Sequence, residues 1–361
     1  MKVIPVILAG GIGERFWPFS RSTTPKQLLP LISKRSMIEE TLARIGPFCR
    51  SGARPLIVTG KSMAVKIRRA LSSKVSYDRI VEAVGKNTAP AVAIAAAWIQ
   101  KRYGSDAVMV VLSADHAIAP KSDFVAAVKY AVELAASHEH LVVFGIHPSR
   151  PDTGYGYIQL QKKLECCGRL KCHMVKRFVE KPTPGKAQQY IDSGKYLWNS
   201  GMFVWKVSVI LEEFEQHMPL IYKGVMKAQK AGFSRKAVDS FYYGAEKESI
   251  DYGIMECAQR VLAVEGTFQW DDLGSWEALS RVLPQDAKKT TVSGKKVYER
   301  ECRQTIVANN SNLTVAAIGL DNVVVATVDD AVLVIARDKL PDLKTYLGEL
   351  KEDPTIPRKL F

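Results

Sequence analysis

The chain has 361 residues, of which 47% are hydrophobic and 24% are charged. These are the proportions of an ordinary globular protein, so the composition excludes wholesale disorder. The first nine residues lack the apolar core of a secretory signal peptide, and no stretch approaches the length needed to span a bilayer. We therefore expect a cytoplasmic protein without a membrane-spanning segment.

The formal net charge of +14 is high and would suit an anionic partner. The basic residues are nevertheless spread along the chain, without a long block and without a recognisable nucleic-acid-binding module. The first sixty residues contain nine Lys or Arg and only three acidic residues. We therefore favour a pocket for the phosphates of small molecules, and expect neither a nucleic acid nor a membrane as a partner.

The six cysteines are scattered and few for a chain of this size: Cys49, Cys166, Cys167, Cys172, Cys257 and Cys302. Reduced thiols in a cytosol are the simplest interpretation. Three of the cysteines lie close to His173, but adjacent cysteines do not follow the usual spacing of zinc ligands. We interpret this stretch as the tip of a hairpin and keep a metal site as the less favoured alternative.

In chain order, the first predicted element is a buried parallel strand over residues 3–8. Glycines follow it directly, at Gly10, Gly11 and Gly13. Such a loop can turn with φ > 0 and bring backbone N–H groups close to phosphate. Arg15 and Lys26 add two cations to the same region. The alternative is an ordinary tight turn between a strand and a helix.

This loop matches neither of the two common phosphate-binding fingerprints. A dinucleotide fingerprint needs a third glycine where this chain has Phe16. A P-loop needs Gly-Lys-Ser or Gly-Lys-Thr after four spacer residues, which the sequence lacks.

Strands and helices then alternate up to about residue 145. Strands are predicted over 55–59, 80–84, 107–112 and 141–145, and helices over 36–45, 64–71, 91–103 and 124–137. This alternation favours an α/β fold with a doubly wound, mostly parallel, Rossmann-like sheet. Ligands of such sheets bind at the carboxyl ends of the strands, where both the glycine loop and Asp115 fall.

The pattern changes after residue 153. Short strands over 157–161, 174–180 and 201–206 indicate an antiparallel extension of the sheet. Helices over 207–231, broken at Pro219, a strand over 261–265 and a helix ending near residue 282 follow. Regularly spaced β-branched runs (305–308, 313–318, 323–327 and 331–335) then indicate an all-β module of stacked or coiled strands with a terminal helix over 340–350. We expect this module to be left-handed and β-helix-like. We expect one domain over 1–285 and a β-rich module over 286–361, serving packing or self-association.

Asp115 ends a predicted buried strand, and Asp272 lies far along the chain in an Asp-Leu-Gly string. Carboxylates from distant strands can meet at one edge of a sheet and hold Mg²⁺, which takes oxygen ligands and bridges phosphates. Asp115 could instead be a cap or turn residue, and Asp272 could be the N-cap of the next helix. Asp271 competes with Asp272, and spacing alone cannot separate them.

Three motifs could recognise a phosphorylated sugar. Lys181 could bind phosphate and Glu180 could accept sugar hydroxyls, or the two could form a surface ion pair at a strand end. Asn199 could bind a hydroxyl or simply make a turn. Gly154 could let the backbone approach a ligand, or lie in a hairpin loop.

Asn87 and Thr88 follow a predicted strand and precede a predicted helix. Their side chains could present donors and acceptors to a base or a ribose. The alternative is an ordinary helix N-terminus, with Thr88 as the cap and Pro90 in the first turn.

The string Gly-Gly-Ile-Gly-Glu-Arg-Phe-Trp-Pro at 10–18, with Pro-Lys-Gln at 25–27, resembles the opening of the sugar-nucleotide pyrophosphorylases. Its Trp-Pro and Lys-Gln details look most like the mannose-1-phosphate guanylyltransferases. Later motifs match that family in order: Gly-Tyr-Gly at 154–156, Glu-Lys-Pro at 180–182, Asn-Ser-Gly-Met-Phe at 199–203, Ser-Ile-Asp-Tyr at 249–252 and Trp-Asp-Asp-Leu-Gly-Ser-Trp at 270–276. The resemblance covers residues 1–283.

The resemblance implies a nucleotidyltransferase that makes GDP-mannose and pyrophosphate from GTP and mannose 1-phosphate, with Mg²⁺ assisting in-line attack on the α-phosphate. It also implies a homodimer or higher homo-oligomer. The implied catalytic residues are Arg15, Lys26, Asp115, Lys181 and Asp272. The implied nucleotide-binding residues are Leu8, Ala9, Gly10, Gly11, Gly13, Asn87, Thr88 and Ser113, with Asn87 and Thr88 on the guanine side. Sugar-phosphate binding would fall to Gly154, Glu180, Lys181 and Asn199, and metal binding to Asp115 and Asp272, the latter preferred to Asp271.

Two other functions stay open at this point. One is a pyrophosphorylase for another hexose 1-phosphate or another NTP. The other is a non-catalytic regulatory subunit that senses a nucleotide sugar, although such a sensor need not retain the paired acids and both phosphate cations. Some larger members of the family carry an isomerase barrel after the β region, so from the end of this chain at Phe361 we expect no isomerase activity.

Overall fold

The computed structural model of the chain describes residues 1–11, 13–49, 52–71, 75–164 and 170–361. The chain divides into two compact units. The larger unit consists of Met1–Gly10, Leu42–Ala114 and Ile118–Trp270. The smaller unit consists of Gly11–Thr41, Asp115–Ala117 and Asp271–Phe361.

The described strands and helices alternate along most of the chain. The strands are β1 (Val3–Ala9), β2 (Leu56–Gly60), β3 (Asp78–Glu82), β4 (Val108–Ser113), β5 (Ala117–Ala119), β6 (Leu141–Ile146), β7 (Tyr157–Lys163), β8 (Cys172–Val179), β9 (Tyr196–Lys206), β10 (Val261–Glu265), β11 (Gln269–Asp271), β12 (Thr291–Gly294), β13 (Val297–Arg300), β14 (Ile306–Asn310), β15 (Val315–Ile318), β16 (Val323–Val328) and β17 (Ala331–Ala336). The helices are α1 (Met37–Ile45), α2 (Lys61–Leu71), α3 (Thr88–Tyr103), α4 (Lys121–Ser137), α5 (Pro184–Asp192), α6 (Val207–His217), α7 (Pro219–Lys230), α8 (Arg235–Gly244), α9 (Glu277–Val282) and α10 (Leu343–Glu352).

The larger unit is built on a nine-stranded sheet in the order β3-β2-β1-β4-β9-β6-β10-β8-β7. Strands β3, β2, β1 and β4 are parallel neighbours, and β6 is parallel to β10. β9 runs antiparallel to β4 and β6, and β8 runs antiparallel to β10 and β7. The predicted α/β class is confirmed, but the sheet is mixed rather than mostly parallel.

Strands β7 and β8 form the predicted antiparallel extension at one edge of the sheet, but β9 does not belong to it, because it lies inside the sheet between β4 and β6. It begins at Tyr196, earlier than the predicted start at residue 201. Asn199 and Ser200 resemble a turn in the sequence, yet both are buried. Ser200 is accommodated there because its hydroxyl donates to the carbonyl of Phe144 at 2.7 Å.

Helix α3 packs against α6 and α7 and against strands β1 and β2 of the larger unit. Its run of alanines is buried almost continuously, which the small side chains permit because they allow close approach to neighbouring elements. None of the helices in the described ranges is long and apolar enough to cross a membrane.

The smaller unit contains two sheets, β12-β14-β16-β17 and β13-β15. Successive parallel strands pair across loops, with Thr291 opposite Ile306 and Ile306 opposite Val324. β17 runs antiparallel to β16. An apolar core joins these strands to α9, α10 and the segment after the glycine loop, which contributes Phe16 and Trp17. The strands β12 and β13 were absent from the sequence-based expectation.

Candidate active site

The smaller unit begins with the glycine loop. Gly11 and Gly13 both have φ of 78°, a conformation that a side chain would strain. A Cβ on Gly13 would also lie 2.5 Å from the Cβ of Lys26. The glycine at this position therefore allows Lys26 to pack directly against the loop backbone.

The ammonium of Lys26 connects two other parts of the smaller unit. Its Nζ lies 3.0 Å from Oδ2 of Asp115 and donates to the carbonyl oxygen of Asp272 at 2.6 Å. Lys26 is only 5% exposed, and a buried ammonium is stable only with such oxygen partners. The structure thus brings together three of the predicted catalytic residues, two of them 246 positions apart.

The two neighbouring acids Asp271 and Asp272 have different environments. Asp271 is buried and accepts hydrogen bonds from Arg281 at 2.6 and 3.1 Å and from the backbone N–H of Leu273 at 2.8 Å. Asp272 is partly exposed, and its Oδ1 accepts from the N–H of Gly274 at 3.0 Å. Asp271 therefore serves the fold, and Asp272 is the better candidate for contact with a ligand.

Neither candidate metal ligand is a helix cap. Asp115 lies in the turn between β4 and β5, and α9 begins only at Glu277 with Trp276 as its cap. The chemistry of the two carboxylates fits Mg²⁺, a hard cation that is bound by one or two carboxylates, phosphates and water. Within the described ranges, no cluster of three or more His, Cys, Asp or Glu could hold a metal.

Arg15 lies on the surface of the smaller unit. Across the part of the chain that the structure describes, its guanidinium forms no hydrogen bond and no ion pair. Its neighbours Glu14 and Phe16 are both in contact with other side chains. Arg15 can therefore offer its donors to an anion without breaking an internal contact.

In the larger unit, the predicted nucleotide residues Leu8, Ala9 and Ser113 lie at the carboxyl ends of β1 and β4. Leu8 is opposite Ser113 in the parallel register. The carbonyl of Ala9 accepts the hydroxyl of Thr59 at 2.6 Å, which ties the end of β1 to β2. Gly10 follows and is exposed. The strand ends thus fix the backbone from which the glycine loop departs.

Asn87 and Thr88 form the N-terminus of α3, as in the alternative drawn from the sequence, but that alternative named the wrong cap. Asn87, and not Thr88, is the N-cap, and its side chain accepts from the N–H of Thr88 at 2.9 Å. The hydroxyl of Thr88 accepts from the N–H of Ile250 at 2.9 Å. Asn87 is exposed and has a φ of 67°. Of the two residues, Asn87 is the more accessible to a ligand.

The predicted sugar-phosphate residues of the larger unit form a second polar cluster around Asn199. Its Nδ2 donates to Oδ1 of Asp251 at 2.7 Å, and its backbone N–H donates to the carbonyl of Gly156 at 2.8 Å. A Cβ on Gly156 would lie 1.9 Å from Oε1 of Glu180, so only glycine admits this carboxylate. Lys181, with a φ of 48°, follows Glu180 and is exposed.

In this second cluster, the surroundings favour the protonated form of the two carboxyls, Glu180 and Asp251. Burial, helped by the charge of Asp251, raises the pKa of Glu180 to about 7, although Asn199 and Lys181 act in the opposite direction. Burial also raises the pKa of Asp251, against its hydrogen bond from Asn199. Two close carboxyls with raised pKa values are typical of a binding or catalytic site.

The sequence patterns alone indicate no role for Asp251, Arg150 or Asp152. Asp152 Oδ1 accepts from the N–H of Gly154 at 2.9 Å, and its other oxygen accepts from Arg150. The Arg150 guanidinium lies over the ring of Trp198, 4.9 Å from the centroid. These contacts hold the Gly154 turn. The Ser-Ile-Asp-Tyr motif was the one signal for Asp251, and position in sequence could not reveal the bond to Asn199.

The cysteine-rich stretch is described only in part. Cys172 is buried in β8, and Nε2 of His173 lies 2.7 Å from Oε1 of Glu265. His173 is therefore engaged with a carboxylate. Cys166 and Cys167 lie outside the described residues.

The chain is similar to known proteins over nearly its whole length. The nucleotidyl transferase family matches residues 4–289. Xanthan biosynthesis protein XanB of Xanthomonas campestris is 40% identical, covering 99% of this chain and 76% of the relative. A mannose-1-phosphate guanylyltransferase of Klebsiella pneumoniae is 37% identical, covering 97% of this chain and 74% of the relative. A solved structure from Thermus thermophilus, described as a mannose-1-phosphate geranyltransferase, is 33% identical with a TM-score of 0.88 and covers 97% of this chain and 100% of that one.

Proposed function

Since this chain belongs to the nucleotidyl transferase family, we propose that it makes GDP-mannose and pyrophosphate from GTP and mannose 1-phosphate. Relatives named mannose-1-phosphate guanylyltransferase, at 35–37% identity over nearly the full chain, support this choice of substrates. The observation that carries the proposal is the meeting of Lys26, Asp115 and Asp272. A cation for phosphate beside two residues whose carboxylates could hold Mg²⁺ suits nucleotidyl transfer, which depends on positioning and on stabilising charge.

In the proposed reaction, a phosphate oxygen of mannose 1-phosphate attacks the α-phosphorus of GTP. The new P–O bond forms as the bond to the β-phosphate oxygen breaks, and pyrophosphate leaves with the bonding electrons. Catalysis of this kind depends on positioning and on stabilising charge, with no covalent enzyme intermediate.

The smaller unit would hold the triphosphate. N–H groups of the loop at Gly11 and Gly13, together with the Arg15 guanidinium, would bind the β- and γ-phosphates. Lys26 would stabilise the charge that develops on the leaving pyrophosphate.

Asp115 and Asp272 would hold Mg²⁺, which when bound polarises the phosphoryl oxygens that it contacts. Lys26 already keeps these two residues close together through its contacts with the Asp115 carboxylate and the Asp272 carbonyl. These two contacts support the proposal, because one buried ammonium binds both the carboxylate of Asp115 and the backbone of Asp272.

The larger unit would hold the sugar phosphate and the base. The exposed ammonium of Lys181 would bind the phosphate of mannose 1-phosphate. Glu180 would accept hydrogen bonds from sugar hydroxyls, and Asn199 would donate to them. The Gly154 turn would let the backbone approach the sugar closely. Asn87 would contact the guanine side of GTP, with Thr88 supporting it through the backbone.

The deciding experiment measures pyrophosphate release from every pairing of GTP, ATP, UTP and dTTP with mannose and glucose 1-phosphates, in the presence of Mg²⁺. We expect the highest kcat/KM with GTP and mannose 1-phosphate. A clear preference for another pair would replace our proposal with a pyrophosphorylase of different specificity. Binding of GDP-mannose without turnover of any pair would identify a sensing subunit instead.

We further propose that residues 286–361 form a β-helix-like module through which the protein assembles as a homodimer or larger homo-oligomer. The parallel pairing of β12, β14 and β16, and of β13 with β15, supports successive turns of one coil. Light scattering on the purified protein tests the assembly. A monomer at micromolar concentration would contradict it.

A further inference from the structure

Residues 14–22 follow the glycine loop directly, and the last residues of the chain hold them in place. The indole Nε1 of Trp17 donates to the carbonyl of Leu360 at 2.8 Å. The Trp17 ring stacks on Phe361, with centroids 6.2 Å apart and planes 15° from parallel. The N–H and the hydroxyl of Ser22 both donate to the carbonyl of Phe361, at 3.1 and 2.6 Å.

Two ion pairs extend this attachment. Glu14 lies 3.3 Å from the ammonium of Lys351 on α10. The same ammonium lies 5.6 Å from the ring centroid of Phe361, so one lysine contacts both the start of residues 14–22 and the end of the chain. Arg21 forms a two-pronged pair with Asp330, at 2.6 and 2.9 Å.

Arg15 lies between the anchored residues Glu14, Phe16 and Trp17. From the other side, Trp276 contacts the Phe16 ring and donates from its indole to the carbonyl of Trp17 at 2.9 Å. Arg15 itself is exposed and has no hydrogen bond or ion pair within the described residues. The contacts of its neighbours therefore hold the backbone from which the Arg15 side chain projects.

We infer that Lys351 and Phe361 are positioning residues for Arg15, and that they act on the binding of the nucleotide triphosphate through it. This inference rests on the proposed function. An anchored backbone presents Arg15 to phosphate with less ordering on binding than a loose one. Loss of an anchor should therefore weaken the binding of GTP more than that of mannose 1-phosphate, because Arg15 is proposed to contact only the former.

The test compares the KM values of the Lys351→Met and Phe361→Ala variants with those of the wild-type protein. We expect the KM for GTP to rise about threefold for Lys351→Met and about tenfold for Phe361→Ala, with the KM for mannose 1-phosphate unchanged. Lys351→Arg should keep the original KM, since it retains the charge beside Glu14. The matched control is Lys339→Met, which removes one exposed positive charge that precedes α10 and, within the described residues, forms no ion pair with residues 14–22.

A double-mutant cycle then identifies the route of the effect. Lys351→Met should add nothing to the KM for GTP in an Arg15→Ala background, because the residue that it positions is already absent. An equal rise in both backgrounds would overturn the inference. So would an unchanged KM with a lowered kcat, which is the signature of a smaller folded fraction. If the unchanged protein releases no pyrophosphate from GTP and mannose 1-phosphate, the proposed function itself fails.

Discussion

At the scale of single residues, one buried lysine organises the candidate catalytic centre. Lys26 reaches the carboxylate of Asp115 and the backbone of Asp272, and the missing side chain of Gly13 makes room for it. The neighbouring acids Asp271 and Asp272 have different roles. Asp271 is bonded to Arg281, whereas Asp272 keeps its carboxylate partly exposed.

The pair Asp271 and Asp272 permits a direct test of that separation. We expect Asp272→Asn to lower kcat about a hundredfold or more, with unfolding unchanged, because an amide is a poor ligand for Mg²⁺. Asp271→Asn should instead lower the free energy of unfolding by about 2 kcal/mol through its weakened bond to Arg281, while the folded protein stays active. Steady-state kinetics and urea unfolding of both variants give the answer. Near-normal turnover by Asp272→Asn would refute its assignment as a metal ligand.

Glu180 predicts a pH dependence of sugar binding. With its pKa at about 7, this carboxyl is mostly protonated at pH 6 and mostly ionised at pH 8. The ionised form is the stronger acceptor of sugar hydroxyls, so the KM for mannose 1-phosphate should fall as the pH rises through 7.

The control for this prediction is Glu180→Gln, which keeps the shape of the side chain and removes its titration. The substrate phosphate ionises near pH 6 in both proteins and therefore cancels in the comparison. We expect the ratio of the KM values of the two proteins for mannose 1-phosphate to change with pH around 7. Parallel pH profiles for the two proteins would refute the assignment.

At the scale of elements, the N-terminus of α3 combines a cap with an unusual backbone. Asn87 caps the helix with φ of 67° and ψ of −163°, a region that glycine tolerates best. Asn87→Ala should cost about 1–2 kcal/mol, because it loses the cap and keeps the strain, whereas Asn87→Gly should cost only a few tenths. Thermal unfolding ranks the two variants. Equal losses would show that the backbone conformation contributes nothing.

The sequence predicted β1 to β4 and the helix α3 because long apolar runs and punctuating glycines leave few alternatives. It did not predict the interior place of β9, since a bond such as that of Ser200 to Phe144 has no trace in local composition. Helices α5 and α8, each with only a few buried residues, were also missed. Weakly buried elements depend on partners that lie far away in sequence.

In the candidate site too, contacts between residues far apart in sequence could not be predicted. The glycine loop, Arg15 and Lys26 are close enough in sequence for their pattern to be recognised. Choosing Asp272 over Asp271 required their bonding partners, and the link between Asn199 and Asp251 required the fold. Short-range chemistry could therefore be predicted, whereas contacts across many residues could not.

At the scale of the whole molecule, substrate binding should be visible as added stability. A ligand that binds only the folded state at about one hundred times its Kd adds about 2.7 kcal/mol. We expect Mg²⁺ with GTP to raise the unfolding temperature more than Mg²⁺ with ATP does at equal concentration. Scanning calorimetry measures both shifts. Equal shifts would remove the case for guanine preference.

The smaller unit is assembled from three separate stretches of chain, and this has a consequence during synthesis. Lys26 leaves the ribosome early, but its acceptor at Asp272 follows 246 residues later. At about 5–20 residues per second, the nascent polypeptide must wait on the order of ten to fifty seconds for that partner. Until then the lysine lacks one of its two oxygen neighbours, so we expect the amino-terminal part to stay protease-sensitive and dependent on chaperones until translation is nearly complete.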